Sequence, residues 1–186
     1  MKYAKQIAKV ESGTMNRTEL SKLKQNAKTK LKQGEEDAKY VIDSINQASP
    51  SDSYILFMGF CPNADLENRL DIEWKEKGIC TFQYYESETQ EDRFNKVCKG
   101  DLVVLKKIQQ YGKTMRLYGH GRVKKISYYE NNKRYLEMDW SNQEEVIEVP
   151  LMGANATVNI KSIEIVEEAM PEEFFDWLYC EELAVN

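Results

Sequence analysis

Between Ser49 and Ser53 the period of the apolar residues changes, and that change limits the chain to a fold in which helices precede a sheet. Before it, Leu20, Leu23, Ala27 and Leu31 recur at helical spacing. Ala38, Val41, Ile42 and Ile45 form the stripe of a second helix. Gly34 separates the two as a helix stop. Thr18 is the expected cap of the first helix, with Ser21 at the capping-box position where Glu or Gln is usual. Glu35, Glu36 and Asp37 favour the start of the second, where amide dipoles leave positive charge. Residues 1–17 read as a frayed or partner-docked segment. After the polar stretch Ser49-Pro50-Ser51-Asp52-Ser53 the apolar residues run together at 54–60, as in a buried strand.

The rest of the chain reads mostly as strand. Residues 65–77 are polar, a loop or short helix anchored by Ile72 and Trp74. Residues 79–82 form a short strand, and a helix starts near Ser87, with Phe94 and Val97 apolar, and stops at Gly100. The runs 102–105 and 115–126 flank the break Tyr111-Gly112-Lys113 as a hairpin. Further strands fall at 134–140, 146–150 and 158–166, the last alternating Val158, Ile160, Ile163, Ile165 with one slip. Pro171 opens a final helix. Many short strands with glycine-marked corners and no regular alternation with helices predict an α+β chain built on a small, closed or partly open barrel. The expected division is a helical extension over 1–48 and a barrel domain with its C-terminal helix over 49–186.

Charge is informative by segment. The total is −5, but residues 1–33, 34–101, 102–129 and 130–186 carry +7, −8, +7 and −11. An acidic total argues against a general nucleic-acid coating protein and permits a local basic cleft. The Lys-rich face of the first long helix (Lys22, Lys24, Lys28, Lys30, Lys32) is either solvated or phosphate-contacting. The stretch 102–129 has no acidic residue and interleaves its cations with tyrosines, so Lys106, Lys113, Arg116, Arg122 and Lys124 are candidates for a nucleic-acid backbone. Gly119 and Gly121 flank the one histidine, His120, and mark a bulge or a close approach of another chain or ligand. Four cysteines without a CxxC pair predict reduced cytosolic thiols, with no metal and no cofactor. No apolar run approaches a membrane span and no signal-peptide pattern opens the chain, so a cytoplasmic location is expected.

A family resemblance rests on the order of short motifs. The strand at 54–60 is followed by Trp74-x-x-x-Gly78, then Lys99-Gly100-Asp101-Leu102-Val103-Val104, then Gly119-x-Gly121-x-Val123. In this order the chain resembles the PUA-like superfamily, EVE domains most closely, with YTH and ASCH domains as relatives. The resemblance covers residues 54–166 and implies a small, mostly antiparallel β-barrel with flanking helices. It further implies a nucleic-acid binding module that reads a modified base of DNA or RNA in an aromatic pocket, in an antiviral or restriction context. The walls so implied are Trp74, Trp140, Tyr84, Tyr85 and Phe60, with His120 beside them. Base stacking on such walls contributes about 1–3 kcal/mol per base. His120 is read as either a structural hydrogen-bonding residue or a ligand contact. Two alternatives stand beside this reading. An ASCH-type ribonuclease would draw on Lys106, Tyr111, Arg116 and His120, and a protein-interaction adaptor would dock a partner through the N-terminal helices.

Overall fold

A computed structural model describes residues 2–62, 67–83 and 87–183, with side chains to Tyr179. In chain order the elements are α1 (Ala4–Glu11), α2 (Arg17–Lys32), α3 (Ala38–Gln47), β1 (Tyr54–Gly59), α4 (Asp71–Lys77), β2 (Ile79–Thr81) and α5 (Glu88–Asn95). There follow β3 (Leu102–Gln110), β4 (Thr114–Tyr128), β5 (Arg134–Trp140), β6 (Ile147–Pro150), β7 (Val158–Ser162), α6 (Ile163–Ala169) and α7 (Glu172–Leu183).

The strands form one open sheet in the order β2-β5-β4-β3-β1-β7, with β6 on β4 off this path. The sheet is mixed, because β1 runs parallel to β3 and antiparallel to β7. The expected barrel is therefore a misreading. The two ends of the strand order, β2 and β7, do not pair, and α4, α5, α6 and α7 pack their apolar residues against the sheet instead. Strand count and turn chemistry left closure open, and the unpaired ends β2 and β7 decide against it.

Strand β4 shapes the sheet. Its residues 114–117 pair with β6 and its residues 121–128 with β5. The change of partner falls at the Gly119-His120-Gly121 triplet. There Gly119 has φ +149°, and the ladder to β3 shifts register between Leu105 and Lys106. A Cβ on Gly121 would lie 2.7 Å from the Asp139 carbonyl oxygen and from the Trp140 ring, so only glycine lets β5 approach this closely.

Each face of the sheet buries its own apolar layer. Leu56, Met58, Val103 and Leu105 pack with Trp74 of α4 and Phe94 of α5. Ile55, Phe57, Val104 and Leu117 pack with Phe174 and Trp177 of α7. Alternation along β1 and β3 puts successive residues into opposite layers. Each fully buried side chain of this size contributes about 1.5–3 kcal/mol.

The N-terminal helices hold a third apolar cluster, in which Val10 and Met15 pack with Leu20, Ala27, Ala38, Val41 and Ile45. Residues 4–11, expected to be frayed or docked on a partner, are helical and bury Val10 in that cluster. Helix α2 starts one residue before Thr18. Asn16 is its cap: its side chain accepts from the Glu19 N–H, and the Glu19 carboxylate accepts from the Asn16 N–H. Residues 158–166 are not one strand. The slip in their alternation is the point where Ser162, still extended, hands over to α6.

Candidate anion-binding cleft

On α2 the spacing of Arg17, Leu20 and Lys24 puts the three on one face. That face meets the segment between α5 and β3 and the start of β5. Arg17 is buried there. Its guanidinium donates to the Asp101 carboxylate at 2.6 Å and to the Lys96 carbonyl, and lies 4.2 Å from the centre of the Tyr54 ring. Asp101 accepts in addition from the N–H of Cys98 at 2.6 Å and of Tyr54 at 3.2 Å. One buried carboxylate thus ties α2, β1 and the α5–β3 turn together. The Gly100-Asp101 turn is legible in the sequence; its partner Arg17 is not.

Beside this pair lie two cations of a different kind. Arg134, the first residue of β5, spends its guanidinium on the carbonyls of Asn95 and Val97, and its Nε is buried without a hydrogen-bond partner. The Lys24 ammonium donates to the Asn46 Oδ1 at 2.6 Å. Among the described residues neither forms an ion pair with a carboxylate. Burial, then the nearby charges of Arg134 and Lys28, push the Lys24 ammonium down to about 8. Burial also pulls the Arg134 guanidinium below its ordinary value. Two desolvated cations facing one cavity are costly unless an anion joins them. Strongly perturbed groups in a cleft are a physical marker of a binding site.

The cleft has two parts. An inner chamber of about 100 Å³ is bounded by Arg17, Leu20, Lys24, Cys98, Ile126 and Arg134. An outer hollow of about 640 Å³ adjoins it, with Lys28, Glu91, Asp92, Tyr128, Asn132 and Lys133 on its walls. Ser21, Lys24, Asn95, Lys96 and Arg134 border both. The Cys98 thiol is pushed up by burial, so the thiol, not the thiolate, borders the inner chamber.

The residues singled out in the sequence lie elsewhere. Phe60 and Trp74 are 0% and 1% exposed. The Trp74 indole donates to the Thr81 hydroxyl, and the half-buried Trp140 donates to the Trp74 carbonyl at 3.0 Å. The expected aromatic pocket is therefore filled core. Tyr84 and Tyr85 fall outside the described residues. Of the hairpin cations, Lys106 is 3% exposed. Arg116 is 3.2 Å from the Glu148 carboxylate and Lys124 is 3.1 Å from that of Asp139. Arg122 donates to the Gly100 carbonyl, and Lys113 is exposed near the hairpin turn. Three of the predicted residues, His120, Arg122 and Trp140, do meet, in a hollow of about 330 Å³ closed by Leu178 and Tyr179 of α7. There the His120 ring stands edge-on to Trp177, with ring centres 4.7 Å apart.

A comparison with protein-family models, curated proteins and solved structures returned no match. The PUA-like and EVE resemblance is set aside on that result and on the open sheet, and with it the base-reading, antiviral and nucleic-acid reading it implied. The ribonuclease alternative goes too. Lys106 is buried, Tyr111 is 83% exposed at the hairpin tip, Arg116 is ion-paired, and His120 is buried against α7. The N-terminal helices keep an exposed surface, Tyr40 included, on which a protein could dock. No helix among the described residues is long and apolar enough to cross a membrane.

Lys106 and Lys24 share a testable property. Both have folded values lowered to about 8, by burial in each case, from an ordinary 10.5. Between those values the unfolded chain holds more protons, so stability rises with pH across that window. Lys106→Met is expected to raise stability at neutral pH by about 1–3 kcal/mol, because one pKa unit corresponds to about 1.4 kcal/mol. It should also flatten part of the rise seen on going to about pH 9.5. Urea unfolding of both proteins at the two pH values checks this, and an unchanged midpoint at neutral pH would show that the ammonium is well solvated.

Proposed function

We propose that this chain is a binding module for a small anionic ligand, held in the cleft between α2, the α5–β3 segment and β5. The observation that carries the reading is the convergence of Lys24 and Arg134, two desolvated cations without a carboxylate between them, on one cavity. The Arg17–Asp101 pair beside them is internally neutral and holds the walls in place. An anion entering the chamber restores the charge balance that the fold leaves open. Because the charges are already desolvated and fixed by backbone carbonyls and Asn46, little further ordering opposes binding.

Inorganic phosphate is the simplest probe. Titration calorimetry is expected to show saturable binding, and the melting temperature should climb with phosphate concentration, as mass action requires of a ligand selective for the folded state. Lys24→Met keeps the apolar stem and removes the charge. It should weaken phosphate binding about tenfold or more, equal to about 1.4 kcal/mol, without lowering stability in the absence of phosphate. A wild-type protein that gives no heat and no thermal shift with phosphate at constant ionic strength refutes the reading.

A further inference from the structure

We propose that this chain associates head to tail with further copies of itself, the tip of the β3–β4 hairpin of one copy seated in the groove between α1 and α3 of the next. Neither surface includes a residue of the anion cleft.

The tip is a fixed knob facing solvent. The β3–β4 ladder runs out to the pair Gln110–Thr114. The turn beyond it is closed by the Lys113 N–H donating to the Gln110 carbonyl at 3.0 Å, and the Lys113 carbonyl accepts from the Leu151 N–H at 2.8 Å. On this turn Tyr111 is 83% exposed, the most exposed large apolar side chain among the described residues. Lys113 beside it is exposed and, among the described residues, forms no ion pair. Glu148, across the ladder, is already taken by Arg116 and by the Thr114 hydroxyl. The tip therefore carries an uncovered ring and one unopposed positive charge. Because the turn is ordered beforehand, little conformational freedom is lost when it docks.

The groove supplies a counterpart to each. Its volume of about 710 Å³ lies within the ordinary range for a seated group, about 300–1,000 Å³. Ile7, Val10 and Ala48 line it, and Tyr40, 53% exposed, offers a ring for the offset or edge-on contact that aromatic pairs favour. Glu11 and Asp43 stand on its walls, both exposed and, among the described residues, without an ion pair. With Lys99 also on the wall, two acids and one base leave the groove at −1, which the Lys113 of an incoming tip cancels. One chain cannot make this contact with itself. Lys99 of the groove precedes β3 and Tyr111 follows it. The nine residues of β3 span about 30 Å at about 3.3 Å each, so groove and tip lie at opposite ends of one strand. A tip that fills the groove therefore comes from another copy, and each bound pair still presents one free tip and one free groove. A contact of this heterologous kind grows into a ring or an open filament.

The experiment is sedimentation velocity on the full chain at low ionic strength, over a concentration series reaching about 1 mM. A contact of one ring and one charge pair is small and transient, so association should show toward the upper end of the series and weaken as salt screens the charges. Tyr111→Ser and Asp43→Lys are each expected to lower the association constant about tenfold or more. Far-ultraviolet circular dichroism should stay unchanged in both, since both side chains are exposed. An equimolar mixture of the two variants is the deciding measurement. The first keeps its groove and the second its tip, so one intact contact forms per pair, and the mixture should give dimers that do not grow further with concentration. A wild-type chain that stays monomeric throughout the series overturns the head-to-tail contact. A loss confined to one of the two variants does so as well, because it means that the tip and the groove do not meet. A mixture as monomeric as either variant alone has the same consequence.

Discussion

Asp101→Ala is expected to cost about 3–5 kcal/mol of folding stability, the usual penalty when one partner of a buried ion pair is removed and the other is left uncompensated. Asp101 is buried and accepts from Arg17, from Cys98 N–H and from Tyr54 N–H. Its loss strands a guanidinium that is itself buried and leaves two backbone donors short of a partner. The test is a comparison of three proteins by urea unfolding: Asp101→Ala, Arg17→Met and the double variant. The double variant should be more stable than Asp101→Ala alone, because the stranded charge is gone and replacement of both members by apolar groups is often close to neutral. If Asp101→Ala unfolds at the midpoint of the parent protein, the carboxylate is not the tie between helical layer and sheet described above.

Trp74→Ala should be comparably severe, costing about 3–5 kcal/mol through lost burial and the cavity left behind. In a chain of this length that amounts to a fall in melting temperature on the order of 10 °C. Trp74 is among the largest fully buried side chains, its indole N–H is satisfied by Thr81, and its carbonyl accepts from Trp140. Truncation therefore opens a void in the layer shared with Leu56, Met58 and Leu105 and loosens the seat of Trp140. Thermal melting monitored by near-ultraviolet circular dichroism reads both consequences. A tryptophan lining an open pocket gives a small thermal effect, and that result overturns the core assignment. Inorganic phosphate affinity should not change, since the cleft lies beside α2 and not beside α4.

The helices at 17–32 and 38–47 were legible because their apolar residues repeat along one face and Gly34 interrupts them. The strand-rich character of the remainder was legible for the same local reason. What failed was everything that depends on which segments meet. The strand order turns on β1 pairing with both β3 and β7 and closure on β7 not reaching β2, and no local pattern encodes a partner forty or a hundred residues away. The basic hairpin is the clearest example. Its cations are unopposed along the chain, yet Glu148 of β6 and Asp139 and Glu137 of β5 stand across the ladder from Arg116, Lys124 and Lys125. Charge summed along a sequence is not charge summed in space. The reverse holds at the cleft. Lys24 was visible as one lysine among several on a helix face, and Arg134 read as an ordinary residue at the start of a weakly alternating strand. Only folding puts them in one cavity, where among the described residues neither forms an ion pair with a carboxylate. The single local hint was the Gly100-Asp101 turn, with a buried acid that requires a cation from elsewhere.

The position of β1 in the sheet has a consequence for how the chain is made. Residues 54–59 are almost wholly apolar, and their two neighbours are β3, beginning at residue 102, and β7, beginning at residue 158. As the chain leaves the ribosome, the segment Tyr54-Ile55-Leu56-Phe57-Met58-Gly59 emerges long before its second flank exists. Such a run is uncharged, free of proline and rich in strand-forming residues, the composition that favours intermolecular cross-β stacking. Its shelter is assembled late and from distant parts, so its exposure time is set by translation at about 5–20 residues per second and not by local folding. The helical layer at residues 4–47 leaves the ribosome before this strand and touches its first residue, with Arg17 over the Tyr54 ring. Deleting those helices is accordingly expected to show first as insoluble protein during synthesis, before any loss of stability in the fraction that does fold.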